Sequence, residues 1–303
     1  MEFFNPKNLT IPFNKFFKPT SILSLIMVIA ALVLYFTPGI NFGIDFRGGV
    51  QAQVDFNPTA NVDEGILRGL LGKDLKGLTI QATEGGDKKG FIISALSSEK
   101  NILSSKLADI LNPTFDGKWQ VSKVDFVGPK VGANLKKSAI LSLLYTCLLI
   151  AIYMWWRFDI LFAPGALACI FHDLIITVGI LALTGVEFST TVVAALLTLA
   201  GYSINDTVVV FDRVREMEQK MLGRSKAAII TGALNSCLSR TLITSFTTLM
   251  ACAVLYFFGG EAIRPFAGTL FIGIIIGTYS SIFVACPLYL WLSKRAAQKA
   301  VIA

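Results

Sequence analysis

The chain has 303 residues, of which 54% are hydrophobic and only 16% are charged, and its mean hydropathy is +0.65. Soluble globular domains carry about 25% charged residues, so this composition excludes an ordinary soluble domain and favours a membrane protein. The formal net charge of +7 follows the predicted membrane topology, as described below, and therefore does not indicate nucleic acid as a partner.

The first predicted membrane helix covers residues 21–37, after a segment of basic character at residues 1–20. A basic flank before an apolar core is also typical of a signal peptide. The stretch "TPGINFG" that follows the core offers no cleavage site of the small-x-small kind, so we expect the helix to be retained as an anchor.

A glycine-rich motif, "GIDFRGG", follows this helix. Glycine adopts backbone conformations that other residues avoid, so the motif predicts a tight turn into the first strand. The residues assigned to this structural motif are Gly43, Asp45, Arg47, Gly48 and Gly49.

Residues 38–138 predict a small domain outside the membrane. "GGVQAQVDF", "LTIQATE", "GFIISAL" and "WQVSKVDFV" indicate strands, and "NVDEGILRGLLG" and "SEKNILSSKLADIL" indicate helices. The order β-α-β-β-α-β is typical of a ferredoxin-like α+β fold. Because the domain has no histidine, no cysteine and no convincing catalytic cluster, we expect an interaction surface rather than an active site.

Five more apolar runs approach or exceed the length of about 20 residues that crosses a bilayer. We predict them at residues 139–156, 160–185, 190–211, 242–258 and 266–292, with a loop at 212–241 and a tail at 293–303. Thirteen of the sixteen basic residues outside residues 38–130 lie in the N-terminal segment, after the second span, in this loop or in the tail. Because basic segments stay in the cytoplasm, both termini and the loop are predicted inside, and residues 38–138 are predicted in the periplasm.

Neither a metal nor a cofactor is predicted. The five cysteines fall in or beside the spans and lack metal-ligand spacing, so we interpret them as small apolar packing residues. No nucleophile–base pair or phosphate-binding loop is found, which argues against an enzyme and assigns any use of ATP to a partner.

Asp206 is the most unusual residue of the spans. It lies seven residues before Arg213, which corresponds to roughly 10 Å inside the boundary that this arginine marks. A charge at the centre of a membrane helix costs on the order of 3 kcal/mol. Arg240 opens the next span, and a carboxylate whose pairing with an arginine depends on helix position could bind and release a proton. The alternative is a static ion pair that holds the helices together.

Other polar residues within the spans have two possible roles: they belong to a proton path, or they hold neighbouring helices together. They are His172, Asp173, Asn205, Ser245, Thr247 and Thr248. Gly277, in "GTYSSI", is assigned to helix packing.

Taken in chain order, "GIDFRGG", "HD", "GYSINDTVVVFDRVRE", "SRTLITSFTTL" and "GTYSSI" resemble the SecF family, the smaller subunits of SecD–SecF protein-export complexes in the resistance-nodulation-division superfamily. The resemblance covers essentially the whole chain.

This resemblance implies a bacterial inner-membrane protein that pairs with SecD beside the SecYEG channel and, in many bacteria, YajC. Such proteins are thought to use proton flow to pull or release preproteins at the outer side of the membrane. Asp206 and Arg240 match the family's proton path, which also includes an aspartate of SecD. The external domain would bear on SecD, and membrane lipid would surround the spans.

Two other functions are consistent with the motifs. A small-molecule or lipid exporter of the same superfamily usually has twelve spans and two external domains, whereas this sequence predicts six spans and one domain. A static scaffold of the translocon would tolerate a neutral residue at position 206.

Overall fold

The computed structural model describes residues 11–37, 39–84, 89–96, 100–158 and 160–302. Half of the predicted N-terminal segment, residues 1–10, and the turn residues 85–88 between two predicted strands lie outside the described residues. The described part forms a bundle of long helices and one small domain built on a sheet.

The small domain has the predicted β-α-β-β-α-β order. Its elements are β1 Gly49–Phe56, α3 Glu64–Leu71, β2 Thr79–Glu84, β3 Lys89–Ala95, α4 Lys100–Phe115 and β4 Trp119–Val127. The strands form one antiparallel sheet with the order β2-β3-β1-β4, which confirms the predicted α+β fold of the ferredoxin-like type.

The alternation in "GGVQAQVDF" determines which face of the sheet is buried. Val50, Ala52, Val54 and Phe56 are fully buried, as expected when every second side chain of a strand points to the same face. Leucines from both helices cover that face, namely Leu67, Leu71, Leu103, Leu107 and Leu111.

Six helical segments are long and apolar enough to cross a membrane, which confirms the six predicted spans. They are α1 Phe13–Phe36, α5 Pro129–Arg157, α6 Ala163–Thr184, α7 Thr190–Lys220, α8 Lys226–Phe258, and α9 Arg264–Ser280 continued by α10 Cys286–Ile302. A short π-helical turn, Ser281–Ala285, joins α9 to α10.

The helices extend beyond the apolar runs. Residues 212–241, predicted as a loop, are mostly helical, because α7 continues to Lys220 and α8 begins at Lys226. Glu216 pairs with Arg213 and Lys220 on consecutive turns, and such pairs support a helix that has left the membrane.

Small residues allow the central helices to approach closely. A Cβ atom at Gly179 of α6 would lie 2.5 Å from the Cβ of Ala31 in α1, and one at Gly273 of α9 would lie 2.4 Å from Leu199 in α7. Contacts of this kind are typical of helix pairs in membranes. Burial is greatest in α6, α7 and the last span, which therefore form the centre of the bundle, while α1, α5 and α8 expose long apolar faces.

Candidate functional site

Asp206 lies on α7 with only 4% of its surface exposed. The Ser245 hydroxyl of α8 donates to its Oδ2 atom over 3.5 Å. The same hydroxyl lies 2.7 Å from Oγ1 of Thr278, which belongs to α9. Three helices therefore meet at this carboxylate, and its direct hydrogen-bonding partner is an uncharged hydroxyl.

Arg240 is near Asp206 without being paired to it. The arginine is exposed on α8, and its charge acts on Asp206. No ion pair between the two is formed in the described part of the chain. The static pair considered from the sequence is therefore not the arrangement in this structure.

Of the candidate hydroxyls of α8, only Ser245 reaches Asp206. Thr247 donates to the carbonyls of Ile243 and Thr244, and Thr248 donates to the carbonyl of Thr244. Threonines in helices commonly bond to the preceding turn in this way. Both are therefore satisfied within their own helix.

Asn205 belongs to an exposed strip on α7. We define the α7 strip as Ala194, Thr198, Gly201 and Asn205, which are exposed and recur every three or four residues. A Cβ atom at Gly201 would contact nothing within 4 Å. Small and polar side chains at membrane depth are typical of a surface that packs against another helix.

A second polar cluster surrounds Asp173 on α6. Its Oδ1 atom lies 2.9 Å from Nδ1 of His172, and its Oδ2 atom accepts hydrogen bonds from Ser203 of α7 and Ser280 of α9, at 2.5 and 2.9 Å. Asp173 is 1% exposed, and Nε2 of His172 is buried with no hydrogen-bond partner among the residues that the structure describes.

Gly277 borders this second cluster. A Cβ atom at this position would lie 3.4 Å from Oδ2 of Asp173 and 3.5 Å from Cβ of Ser203. These are ordinary van der Waals distances, so the structure has room for a Cβ atom at this position. Ser280 and Thr278, which the sequence indicated only as part of "GTYSSI", place α9 in contact with both clusters.

The "GIDFRGG" motif lies away from both clusters, at the N-terminal end of α7. Residues 44–47 form a helical turn, α2 Ile44–Arg47, rather than only a turn into the strand. Oδ2 of Asp45 accepts hydrogen bonds from the backbone N–H and the hydroxyl of Thr190. Arg47 is exposed.

Glu187, in the connection between α6 and α7, is a neighbour of this motif that sequence reasoning missed. Burial raises the pKa of its carboxyl group above the usual value, the backbone N–H of Ile44 and the charge of Arg47 oppose that rise, and Asp45 adds to it. A Cβ atom on Gly43 would lie 2.4 Å from a Glu187 oxygen. A larger residue at position 43 would require the Glu187 side chain to move.

No grouping of three or more His, Cys, Asp or Glu side chains suited to a metal ion occurs among the described residues. The polar atoms at Asp206 and Asp173 are carboxylates, hydroxyls and one imidazole. In this structure they are joined by hydrogen bonds.

Two family profiles match this chain. Residues 106–295 match the family described as protein export membrane protein SecD/SecF, C-terminal, and residues 35–60 match the SecD/SecF GG motif. The second match covers "GIDFRGG", and the first covers both polar clusters.

Two relatives that match almost the whole chain carry the same name. Protein translocase subunit SecF of Desulfurispirillum indicum is 41% identical over 292 residues, which is 94% of this chain and 92% of the relative. The protein of the same name from Rickettsia conorii is 36% identical over 299 residues, covering 98% of this chain and 96% of the relative.

Two solved structures share the fold. SecDF from Thermus thermophilus, described as a translocon-associated membrane protein, matches with a TM-score of 0.84 and 33% identity over 95% of this chain. SecDF in a super-membrane-facing form matches with a TM-score of 0.68 and 34% identity. The chain spans only 39% and 40% of those two longer chains.

Proposed function

Since this chain belongs to the SecF family of protein translocase subunits, we propose that it uses the proton motive force, together with a SecD partner, to promote late steps of preprotein translocation. These steps take place at the outer side of the bacterial inner membrane. Its partners in this proposal are SecD, the SecYEG channel, YajC where present, and the preproteins themselves.

The observation that carries the proposal is the environment of Asp206. The carboxylate is buried beside Ser245, and no ion pair joins it to Arg240 among the described residues, although the charge of Arg240 acts on it. An unpaired charge is costly in such a place. A proton on Asp206 removes that cost, and a closer approach of Arg240 would favour its release.

The α7 strip supports a partner at this site. Asn205 is adjacent to Asp206, and the strip is exposed in this chain at a depth where lipid would otherwise meet an asparagine and a threonine. We propose that a SecD helix packs there and supplies the rest of the proton path. Movement of one charge through a membrane potential of 100 mV is worth about 2.3 kcal/mol.

We assign His172 and Asp173 to helix packing in this proposal. Asp173 is held by His172, Ser203 and Ser280, so three helices are tied together by one carboxylate. Removing one partner from such a buried network leaves the others unsatisfied, at a cost of about 1–3 kcal/mol for each group. Asp173→Asn is therefore expected to lower the amount of folded protein.

The test is a pulse-chase of preprotein export in cells whose only copy carries Asp206→Asn. The matched control is Asp212→Asn, which lies on the same helix but is exposed and pairs with Arg157 at the surface. We expect Asp206→Asn to slow export at normal protein level and normal retention of SecD, and the control to export normally. Export at the normal rate by Asp206→Asn would favour the static scaffold.

A further inference from the structure

The outer end of α7 is capped by a residue that is 145 positions away in the chain. Oδ2 of Asp45 accepts from the backbone N–H of Thr190 over 2.8 Å and from its hydroxyl over 2.7 Å. Ser189, the residue before the helix, makes no capping hydrogen bond with its side chain. The first N–H groups of a helix need an acceptor and favour a negative charge, and the "GIDFRGG" motif supplies both.

The connection between α6 and α7 is bonded to the same motif. The N–H of Gly43 donates to the carbonyl of Phe188, and the N–H of Phe188 donates to the carbonyl of Asn41, at 3.0 and 2.7 Å. The rings of Phe42 and Phe46 pack on Phe188 with centroids 5.8 and 5.9 Å away. We call these contacts between residues 41–46 and residues 188–190 the joint. It combines a pair of backbone hydrogen bonds, the cap by Asp45 and an aromatic cluster.

The two glycines that end the motif allow it to pack closely against α5 and against strand β3 of the external domain. Gly48 has a φ of +72°, and a Cβ atom there would lie 2.9 Å from Cα of Pro129, the first residue of α5. Gly49 has a φ of +132°, and a Cβ atom there would lie 2.5 Å from the carbonyl oxygen of Ala95 in β3. Side chains would be strained at both positions and would separate α2 from the sheet and from α5.

We infer that Asp45 is a positioning residue that ties the first turn of α7 to the external domain, so that this domain moves together with the helix that carries Asp206. The inference rests on the proposed function and identifies Asp45 as the mechanical link between α7 and the external domain. Thr190 and Asp206 are sixteen residues apart on one continuous helix, or roughly 24 Å. A displacement of α7 at Asp206 would therefore be transmitted through this joint to the external domain.

Asp63 provides a matched control for Asp45. It also caps a helix, since its Oδ1 atom accepts from the N–H of Ile66 over 2.7 Å at the start of α3. That cap lies entirely within the external domain. Asp63→Ala therefore removes a helix cap of the same chemistry without touching the link to α7.

The first test measures amide hydrogen exchange in the full-length protein in complex with its SecD partner. Loss of a cap exposes the first turn of a helix, so Asp45→Ala is expected to raise exchange at residues 190–193 about tenfold. Asp63→Ala is expected to raise exchange in α3 and to leave residues 190–193 unchanged. Unchanged exchange at residues 190–193 in Asp45→Ala would overturn the inference, whatever the role of Asp206.

The second test asks whether a covalent link can replace the cap. In cells carrying both Asp45→Cys and Thr190→Cys, we expect export to slow several-fold, and we expect a short bismaleimide that bridges the two thiols to restore it. The five native cysteines are buried, so the new pair is the main target of the reagent. A rigid joint would be contradicted if the double-cysteine protein exported at the normal rate before bridging. It would also be contradicted if export remained slow after bridging.

These results are separable from those of the proton experiment. If Asp206→Asn exports normally, the proposed function fails, while hydrogen exchange still reports on the joint. If Asp206→Asn is slow but bridging does not restore the cysteine pair, the proton proposal stands and the joint at Asp45 is not the mechanical link.

Discussion

Residues of the same type in the same helix have different roles here because a helix turns by about 100° per residue. Ser245, Thr247 and Thr248 lie within four positions of α8, yet only Ser245 faces Asp206. The sequence identified all three as candidates and could not rank them. The tertiary structure distinguishes them, because the packing of α8 against α7 determines which of the three side chains contacts Asp206.

The half-buried carboxyl group of Glu187 predicts a pH-dependent stability. Its pKa is raised in the folded protein, mainly by burial, so the folded state binds the proton more tightly than the unfolded state. Below the unfolded pKa of about 4.3 the carboxyl group is protonated in both states, so the folded protein buries no charge there. As the pH rises through the folded pKa, wild-type protein loses stability relative to Glu187→Gln, and the difference becomes constant at higher pH.

Thermal unfolding of wild type and Glu187→Gln in detergent, at several pH values from about 4 to 8, measures this difference. A glutamine can still accept the hydrogen bond from Ile44, so the comparison isolates the charge. Parallel pH profiles for the two proteins would show that Glu187 is not responsible.

At the scale of elements, the α7 strip predicts a helix–helix contact with the SecD partner. Gly201→Leu places a large side chain where close packing is needed, and we expect it to reduce co-purification of SecD about tenfold or more. Such interfaces depend on small residues. Because the position is open within this chain, the protein itself is expected to fold normally.

Ser142→Leu is the matched control for the strip. Ser142 is exposed on α5, another lipid-accessible helix, so the change adds the same side chain to a different face of the bundle. Quantitative pull-down of SecD with each variant measures the effect. Equal recovery of SecD with both variants would place the interface elsewhere.

The last span differs from a regular helix at one point. The predicted run 266–292 contains the π-helical turn Ser281–Ala285, which begins directly after Ser280. Turns of this kind often occur at functional sites. Here it follows the residue through which α9 holds Asp173, and no signal of residue type in "SSIFVA" distinguishes it from a continuous helix.

At the scale of the whole molecule, the distribution of basic residues predicts the orientation in the membrane. The connection between α7 and α8 should be cytoplasmic, and the domain that carries Lys73 should be outside. We expect a membrane-impermeant maleimide to label Lys73→Cys in intact spheroplasts and to label Leu222→Cys only after lysis. Both positions are exposed in the structure.

The native cysteines are buried, so wild-type protein serves as the unlabelled control in this experiment. Labelling of Leu222→Cys in intact spheroplasts would reverse the predicted orientation. Export by both variants should be measured first, so that only functional protein is compared.

The sequence alone determined the architecture, because the features that fix it are local and periodic. Runs of apolar residues predicted the six spans, alternation in "GGVQAQVDF" predicted the strand β1, and the order of strands and helices predicted the ferredoxin-like domain. The sequence also drew attention to Asp206, since a carboxylate in an apolar run is visible without any structure.

Only the tertiary structure decided which groups meet. It brought Ser245 to Asp206 and Thr278 to Ser245, and among the described residues it formed no ion pair between Arg240 and Asp206. It also joined Asp45 to Thr190, although 145 positions separate them. Contacts between distant residues depend on how each helix is rotated about its own axis against its neighbours. The apolar pattern of these spans identifies the helices but does not specify that rotation.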